Sequence, residues 1–208
     1  MRTLCLLLPA LGAASLDAFA QETPDTAGKA WSFTASAYYY IVPVSRDFVQ
    51  PTVTADHDWL HLEGRYNYEA LDAASLWVGY NFSAGHKLTL DITPMVGGVI
   101  GSTTGVAAGY ELSLGYWKLD LSSDTEYVID TGDSANGFLY TWSQLSILPV
   151  PWLQAGLAVQ RTRVYETERD LQRGFLVGFT WKQVGFTTYL FDPDTSQPTV
   201  VLALELSF

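Results

Sequence analysis

The sequence predicts an all-β chain closed into an antiparallel transmembrane barrel of twelve strands, and three observations carry that expectation. Apolar and polar residues alternate with period two along most of the chain. Charged residues make up only 16%, against roughly 25% in soluble domains. Short and longer joins also take turns between the alternating segments, which is the asymmetry of a barrel with tight turns on one side.

The elements follow in chain order. MRTLCLLLPALGAASLDAFA has a basic residue, Arg2, an apolar run from Leu4 to about Ala14, and a small-x-small close at Ala18-Phe19-Ala20. That pattern predicts a secretory signal over 1–20, cleaved after Ala20. Cys5, the sole cysteine, falls inside it, so the mature chain forms no disulfide. QETPDTAGKA, 21–30, reads as a short periplasmic lead-in, and 31–208 as the barrel. No later stretch approaches the roughly 18 uncharged apolar residues of a spanning helix. With hydrophobic residues at 48% and aromatic residues at 14%, the apolar content is spread over strands instead.

Twelve strands are expected at 32–42, 48–55, 59–69, 75–83, 87–97, 104–116, 118–130, 137–148, 153–164, 171–181, 184–192 and 199–208. Most have about the 9–11 residues a tilted membrane strand needs. Taking the N-terminus as periplasmic, the even joins are Asp56-His57-Asp58, Ser83-Ala84-Gly85-His86, Trp117, Pro149-Val150-Pro151-Trp152 and Lys182-Gln183. The odd joins, PVSRD, EALDAA, GGVIGST, TGDSANG, YETERD and DPDTSQP, are mostly longer and richer in turn residues. In the last strand Val200, Leu202, Leu204, Leu206 and Phe208 share one face, with Val201, Ala203, Glu205 and Ser207 on the other.

A cleavable signal, alternation to the last residue and a terminal Leu204-Glu205-Leu206-Ser207-Phe208 together resemble a Gram-negative outer-membrane β-barrel protein. The resemblance covers the mature chain at the level of a class and names no particular family. It implies a bacterial outer-membrane location with lipid and lipopolysaccharide around the barrel. It also implies that Phe208 ends an insertion signal read by the barrel-insertion machinery. The competing fold, a secreted β-sandwich, requires one wet face per sheet, whereas nearly every strand here has a continuous apolar face.

Face assignment predicts what fills the lumen. In the third strand Leu60, Leu62, Gly64, Tyr66 and Tyr68 face lipid, which turns His61, Glu63, Arg65, Asn67 and Glu69 inward. In the seventh, Leu119, Leu121, Tyr127 and Ile129 face out, while Asp120, Ser122, Asp124, Glu126 and Asp130 face in. Asp91, Glu111 and Glu205 join them from other strands, opposed by Arg65 and Lys87. Unpaired carboxylates are expensive when dry and inexpensive when hydrated. The acidic lining therefore points to water inside and a small passive channel for cations, since charged linings set the sign of permeant ions. Twelve strands lie between filled barrels and open porins, so a plugged lumen with neutralised acids, in a barrel acting structurally or by surface binding, stays open.

Arg161, Arg163 and Arg173 point at lipid by alternation, near the outer rim, where they can meet lipopolysaccharide phosphates. The alternative is a β-bulge that turns them inward. Tyr38 to Tyr40, Trp59, Tyr80, Phe82, Tyr116, Trp117, Trp152, Trp181 and Phe208 fall near strand ends as interfacial girdles. Trp77, Tyr140 and Trp142 are inward exceptions.

Other chemistry is weakly represented. The net charge of −11 without clustered Lys and Arg excludes nucleic acid as a partner. Some twelve-stranded outer-membrane barrels are lipid hydrolases, but that chemistry needs a Ser, His and Asn/Asp set at the outer leaflet. His57, His61 and His86 all fall at the opposite end, and no GxSxG occurs, so no enzyme activity is expected. His57 and His61, about 13 Å apart along a strand, cannot share one ion, so no metal and no cofactor is expected.

Overall fold

The computed structural model describes residues 30–43, 45–132, 137–164 and 170–208, with residues 162–164 and 170 described by their backbone. The predicted signal and residues 21–29 of the lead-in lie outside these, as do residues 133–136 and 165–169 of two long joins. Among the described residues there is no helix, and the strands are β1 (Ser32–Ile41), β2 (Phe48–His57), β3 (Leu60–Tyr66), β4 (Ala73–Tyr80), β5 (Phe82–Gly85), β6 (Leu88–Gly101), β7 (Gly105–Tyr116), β8 (Leu119–Asp130), β9 (Phe138–Val150), β10 (Leu153–Val164), β11 (Asp170–Trp181), β12 (Val184–Phe191) and β13 (Thr199–Ser207). β4 and β5 are two segments of one strand interrupted at Asn81, and both pair with β6. The barrel thus has the twelve staves expected.

Every stave pairs antiparallel with its neighbours in the chain, and β1 pairs with β13 to close the ring. The closure runs to the last residue. Phe33 N donates to Phe208 O and Phe208 N to Phe33 O, both at 2.9 Å, and the two rings stack with centroids 6.1 Å apart. Among the described residues each stave pairs on both sides, which removes the edge a lone sheet would offer to other chains.

Two residues suffice for each short join, 58–59, 86–87, 117–118, 151–152 and 182–183, so the first, second and fourth are tighter than expected, the one at Trp117 also takes in Lys118, and Lys182-Gln183 is as expected. Asp58, Trp117 and Lys182 each take a left-handed backbone with φ of 56°, which reverses an antiparallel pair over two residues. Asp56 and His57 consequently remain in β2, Ser83 to Gly85 in β5, and Pro149 and Val150 in β9. On the long-join side, β6 runs through GGVIG to Gly101, so only residues 102–104 connect it to β7.

Alternation sets the two faces. The outer face carries Leu76 at 75% exposure, Ile100 at 67%, Val96 at 58% and Phe175 at 56%, together with Val53, Leu145, Leu157, Phe186 and Leu204. A soluble monomer rarely exposes more than a few hundred Å² of contiguous apolar surface, whereas here such residues encircle the barrel, as lipid contact requires. Trp31, Phe33, Trp59, Tyr80, Trp152, Phe179 and Phe208 gather at the short-turn end and stack in neighbouring pairs, Trp59 on Tyr80 at 5.7 Å among them. Two predicted members of the girdles belong elsewhere: Tyr38 and Tyr40 point into the lumen, because β1 alternates Tyr39 outward between them.

Candidate functional site

The core lies inside the barrel, and its waist divides into a charged wall and an aromatic wall. The charged wall begins in the β2–β3 hairpin. Its register sets Asp56 opposite His61, Thr54 opposite Glu63 and Thr52 opposite Arg65. Period two then sends all six side chains inward. Across the lumen, β7 and β8 supply Glu111 opposite Asp124, with Glu126 one inward step further along β8.

Arg65 joins the two sides. Its Nη2 donates to Glu63 Oε2 at 2.7 Å and its Nη1 to Glu126 Oε2 at 2.8 Å, with Glu111 Oε1 3.7 Å from Nη2. The guanidinium lies between the rings of Tyr68 and Trp77, 4.2 and 4.8 Å from their centroids. Such stacking suits Arg better than Lys, since its planar, weakly hydrated group offers a face to each ring. His61 Nδ1 donates to Asp56 Oδ1 at 2.8 Å, Asn81 Nδ2 donates to the same oxygen at 2.8 Å, and Thr93 Oγ1 donates to Asn81 Oδ1 at 2.7 Å.

The aromatic wall comes from β1, β9 and β12. Trp142 packs edge-on against Tyr38, Tyr189 and Phe191 with centroids 6.1, 5.0 and 5.2 Å away, and Tyr189 and Phe191 stack on each other. The hydroxyl of Tyr189 donates to Gln144 Oε1 at 3.1 Å, satisfying its one polar atom within an otherwise apolar cluster. Between the walls remains a cavity of about 40 Å³, lined by Glu63, Arg65, Glu111 and Asp124 on one side and by Tyr38, Tyr140 and Trp142 on the other. That is room for only a few waters.

These contacts correct the picture of a freely hydrated acidic lining. Glu63, Glu111 and Glu126 are buried, and Arg65 gathers them into one network. The acids outside the waist are distributed along the lumen. Glu69 is buried and accepts from Ser75 Oγ and Trp77 Nε1. Asp91 accepts from Ser83 Oγ, and Asp120 from Ser113 Oγ at 3.2 Å. Glu205 is buried on the inner face of β13, and Asp130 closes β8, where it accepts from Gly132 N at 2.7 Å. Lys87 is exposed in the His86–Lys87 turn.

One face assignment fails beyond Tyr66. Asn67 takes a left-handed φ of 58° and donates from Nδ2 to Val49 O, ending β3. The alternation breaks there, so Tyr68, expected toward lipid, turns inward beside Arg65, and Glu69 follows it into the lumen.

Of the three arginines expected near the outer rim, Arg161 and Arg173 have described side chains. β10 alternates without interruption against β11, which places Arg161 on the face of Leu157 and Val159. The one register shift against β9 falls at its far end, between Leu153 and Ala155. Arg173 is exposed and donates from Nη2 to Asp194 Oδ2 at 2.9 Å. Its neighbourhood, together with a backbone hydrogen bond at Asp194 itself, holds the Asp194 carboxyl below the usual aspartate range, the backbone contribution being the larger. The side chain of Arg163 lies outside the described residues.

Asp56 is the site residue that sequence reasoning missed, since it was placed in a turn. The signal was present: across a two-residue turn at 58–59 the inward parity switches from even to odd, which puts Asp56 on the face of His61, Glu63 and Arg65. Cross-lumen partners such as Glu126 have no comparable local signal.

No protein-family model matches this sequence, and no curated protein matches it significantly. Solved structures do match. The KdgM porin superposes with a TM-score of 0.59 at 9% identity, covering 84% of this chain and 99% of that one. The KdgM porin in complex with disordered oligogalacturonate gives 0.62 at 8% identity, with the same coverage. The Acinetobacter baumannii outer membrane protein Omp33 gives 0.49 at 10% identity over 86% of this chain and 98% of that one. The fold of this chain, a closed antiparallel barrel of twelve staves, is therefore shared with the KdgM porin over almost the whole length of that chain.

Proposed function

We propose that this chain is a small porin-like channel of the bacterial outer membrane whose acidic lumen favours cations. The observation that carries the reading is the charge balance of the lumen. Asp56, Glu63, Glu111, Asp124, Glu126 and Glu205 face inward along its length, against one central guanidinium, Arg65. Rings of one charge sign in a narrow, low-dielectric passage set the sign of what passes. The barrel fold and its apolar exterior support the membrane location. Oligogalacturonate, held by one KdgM structure, carries a carboxylate on every sugar, so the acid-rich lumen here argues for a different cargo.

In this reading the packed waist is the constriction, and the seam between the two walls is the passage. Carboxylates of Glu111 and Asp124 and the phenol of Tyr140 flank that cavity, so a partly dehydrated cation meets oxygen ligands there. The same packing favours a second reading, a closed barrel with a structural role.

The test is conductance in a planar bilayer under a KCl gradient, with the full chain expressed with its own leader and extracted from membranes. A cation-selective reversal potential that shrinks in Asp124→Asn/Glu205→Gln supports the channel. A silent protein that conducts only after Trp142→Ala supports the closed barrel.

A further inference from the structure

We infer that the β2–β3 hairpin and β7 form a divalent transition-metal site, with His61, Glu63 and Glu111 as ligands and Asp56 as the residue that orients the histidine. One nitrogen of His61 and one carboxylate oxygen from each glutamate lie within 4.8 Å of one another, and all three residues are buried. The edge of a tetrahedral zinc site with bonds near 2 Å is about 3.3 Å. His61 Nε2 and Glu63 Oε2, at 3.6 Å, already approach that spacing, and a rotamer adjustment of Glu111 brings in the third ligand.

The hydrogen bonds point the same way. Asp56 is a carboxylate acceptor already fixed by Asn81, so the nitrogen facing it, Nδ1, carries the proton. Nε2 then presents a lone pair to the lumen. It makes no hydrogen bond, and neither does Glu111 Oε2, although both atoms are fully buried. A separation of 3.6 Å from Glu63 is too long for a hydrogen bond. A neutral imidazole lone pair facing two carboxylates is repulsive, so a positive charge belongs between them. A proton on Nε2 would leave Glu111 Oε2 without a partner, whereas one metal ion engages all three residues. A carboxylate holding the far nitrogen of a ligating histidine is the usual outer-shell arrangement of zinc sites.

Charge agrees with geometry. Glu63, Glu111 and Glu126 lie around a single guanidinium while Asp56 pairs with His61, and a divalent ion offsets the excess that Arg65 leaves. One imidazole with two carboxylates suits Zn²⁺ or a neighbouring first-row divalent ion better than Ca²⁺ or Mg²⁺, which take oxygen ligands alone. The absence of metal expected from the sequence rested on His57 with His61, and it overlooked the carboxylates that the barrel brings to His61. His57 instead lies against Trp31, with ring centroids 5.0 Å apart.

The experiment is a Zn²⁺ titration of the detergent-extracted full chain after chelator treatment, with stoichiometry by elemental analysis and affinity by calorimetry. His57→Gln/His86→Gln serves as the reference, because it removes the other histidines. About one zinc per barrel is expected in both proteins. Affinity falls by at least about 10-fold in His61→Gln and Glu111→Gln, and by about 10–100-fold in Asp56→Asn. Equal binding by His61→Gln and the reference, or no stoichiometric zinc in the unmutated protein, overturns the site. Should the variants not fold, zinc-edge absorption of the unmutated protein decides, since it must contain an imidazole shell and a shell of oxygen alone rejects the proposal. No current is measured, so a silent barrel leaves this site standing and an absent zinc leaves the channel standing.

Discussion

The two walls of the lumen arise from the same period-two pattern yet hold together by different physics. On the aromatic wall Tyr38, Trp142, Tyr189 and Phe191 touch through rings, so each contact adds its own burial and dispersion. On the charged wall Arg65 is shared by Glu63 and Glu126, with Glu111 close by, and no member is neutral without the others. The aromatic wall is a sum of contacts, whereas the charged wall is a network that fails as a unit.

Removing the hub tests that contrast most severely. Arg65→Met leaves Glu63 and Glu126 buried without their cation, and the expected loss is about 3–5 kcal/mol in a urea titration of the barrel. Replacing Glu63 and Glu126 by Leu in the same chain should recover most of it, because an apolar set of similar volume has no charges to compensate. Trp142→Ala attacks the other wall. Its loss is about 3 kcal/mol or more from the cavity alone, and no second substitution at a distance restores it, as expected for additive packing.

A pair of adjacent glycines sharpens the comparison between inside and outside. A Cβ on Gly97 would come within 2.5 Å of the Trp77 ring, whereas one on Gly98 meets nothing within 4 Å. Gly97→Ala should therefore destabilise by about 1–3 kcal/mol through overpacking. Gly98→Ala, one residue on, should stay within about 0.5 kcal/mol in the same unfolding assay.

The smallest effect is expected outside the lumen. Arg173→Ala removes an exposed partner of Asp194, and pairs of that kind contribute little. The unfolding midpoint should not move measurably, while the Asp194 carboxyl rises toward its ordinary range in an NMR titration. The folded-state value is depressed, so the pair's contribution is present above the unfolded aspartate pKa and is lost only as pH falls through the folded one. A midpoint difference between variant and parent that persists at a pH below the folded-state Asp194 pKa would mean that Arg173 does more than hold Asp194.

What was legible in the sequence is what a strand encodes locally. Period two determined that Glu63, Arg65, Glu111, Asp124, Glu126 and Glu205 turn inward, that Leu76, Leu157 and Leu204 lie on the outer face, and that twelve staves alternate tight and long connections. Where a local conformation broke the period, as at Asn67, the reading of Tyr68 failed with it. Only the closed tertiary structure decided which inward groups meet. Arg65 and Glu126 are separated by 61 positions, and Tyr189 and Gln144 by 45. Parity fixes a side chain's direction, but its partner depends on the register of every intervening strand and on the diameter at which the ring closes. That is why the inward direction of the acids could be read from alternation, while the packed waist and the cluster of His61, Glu63 and Glu111 emerged only once the barrel was closed.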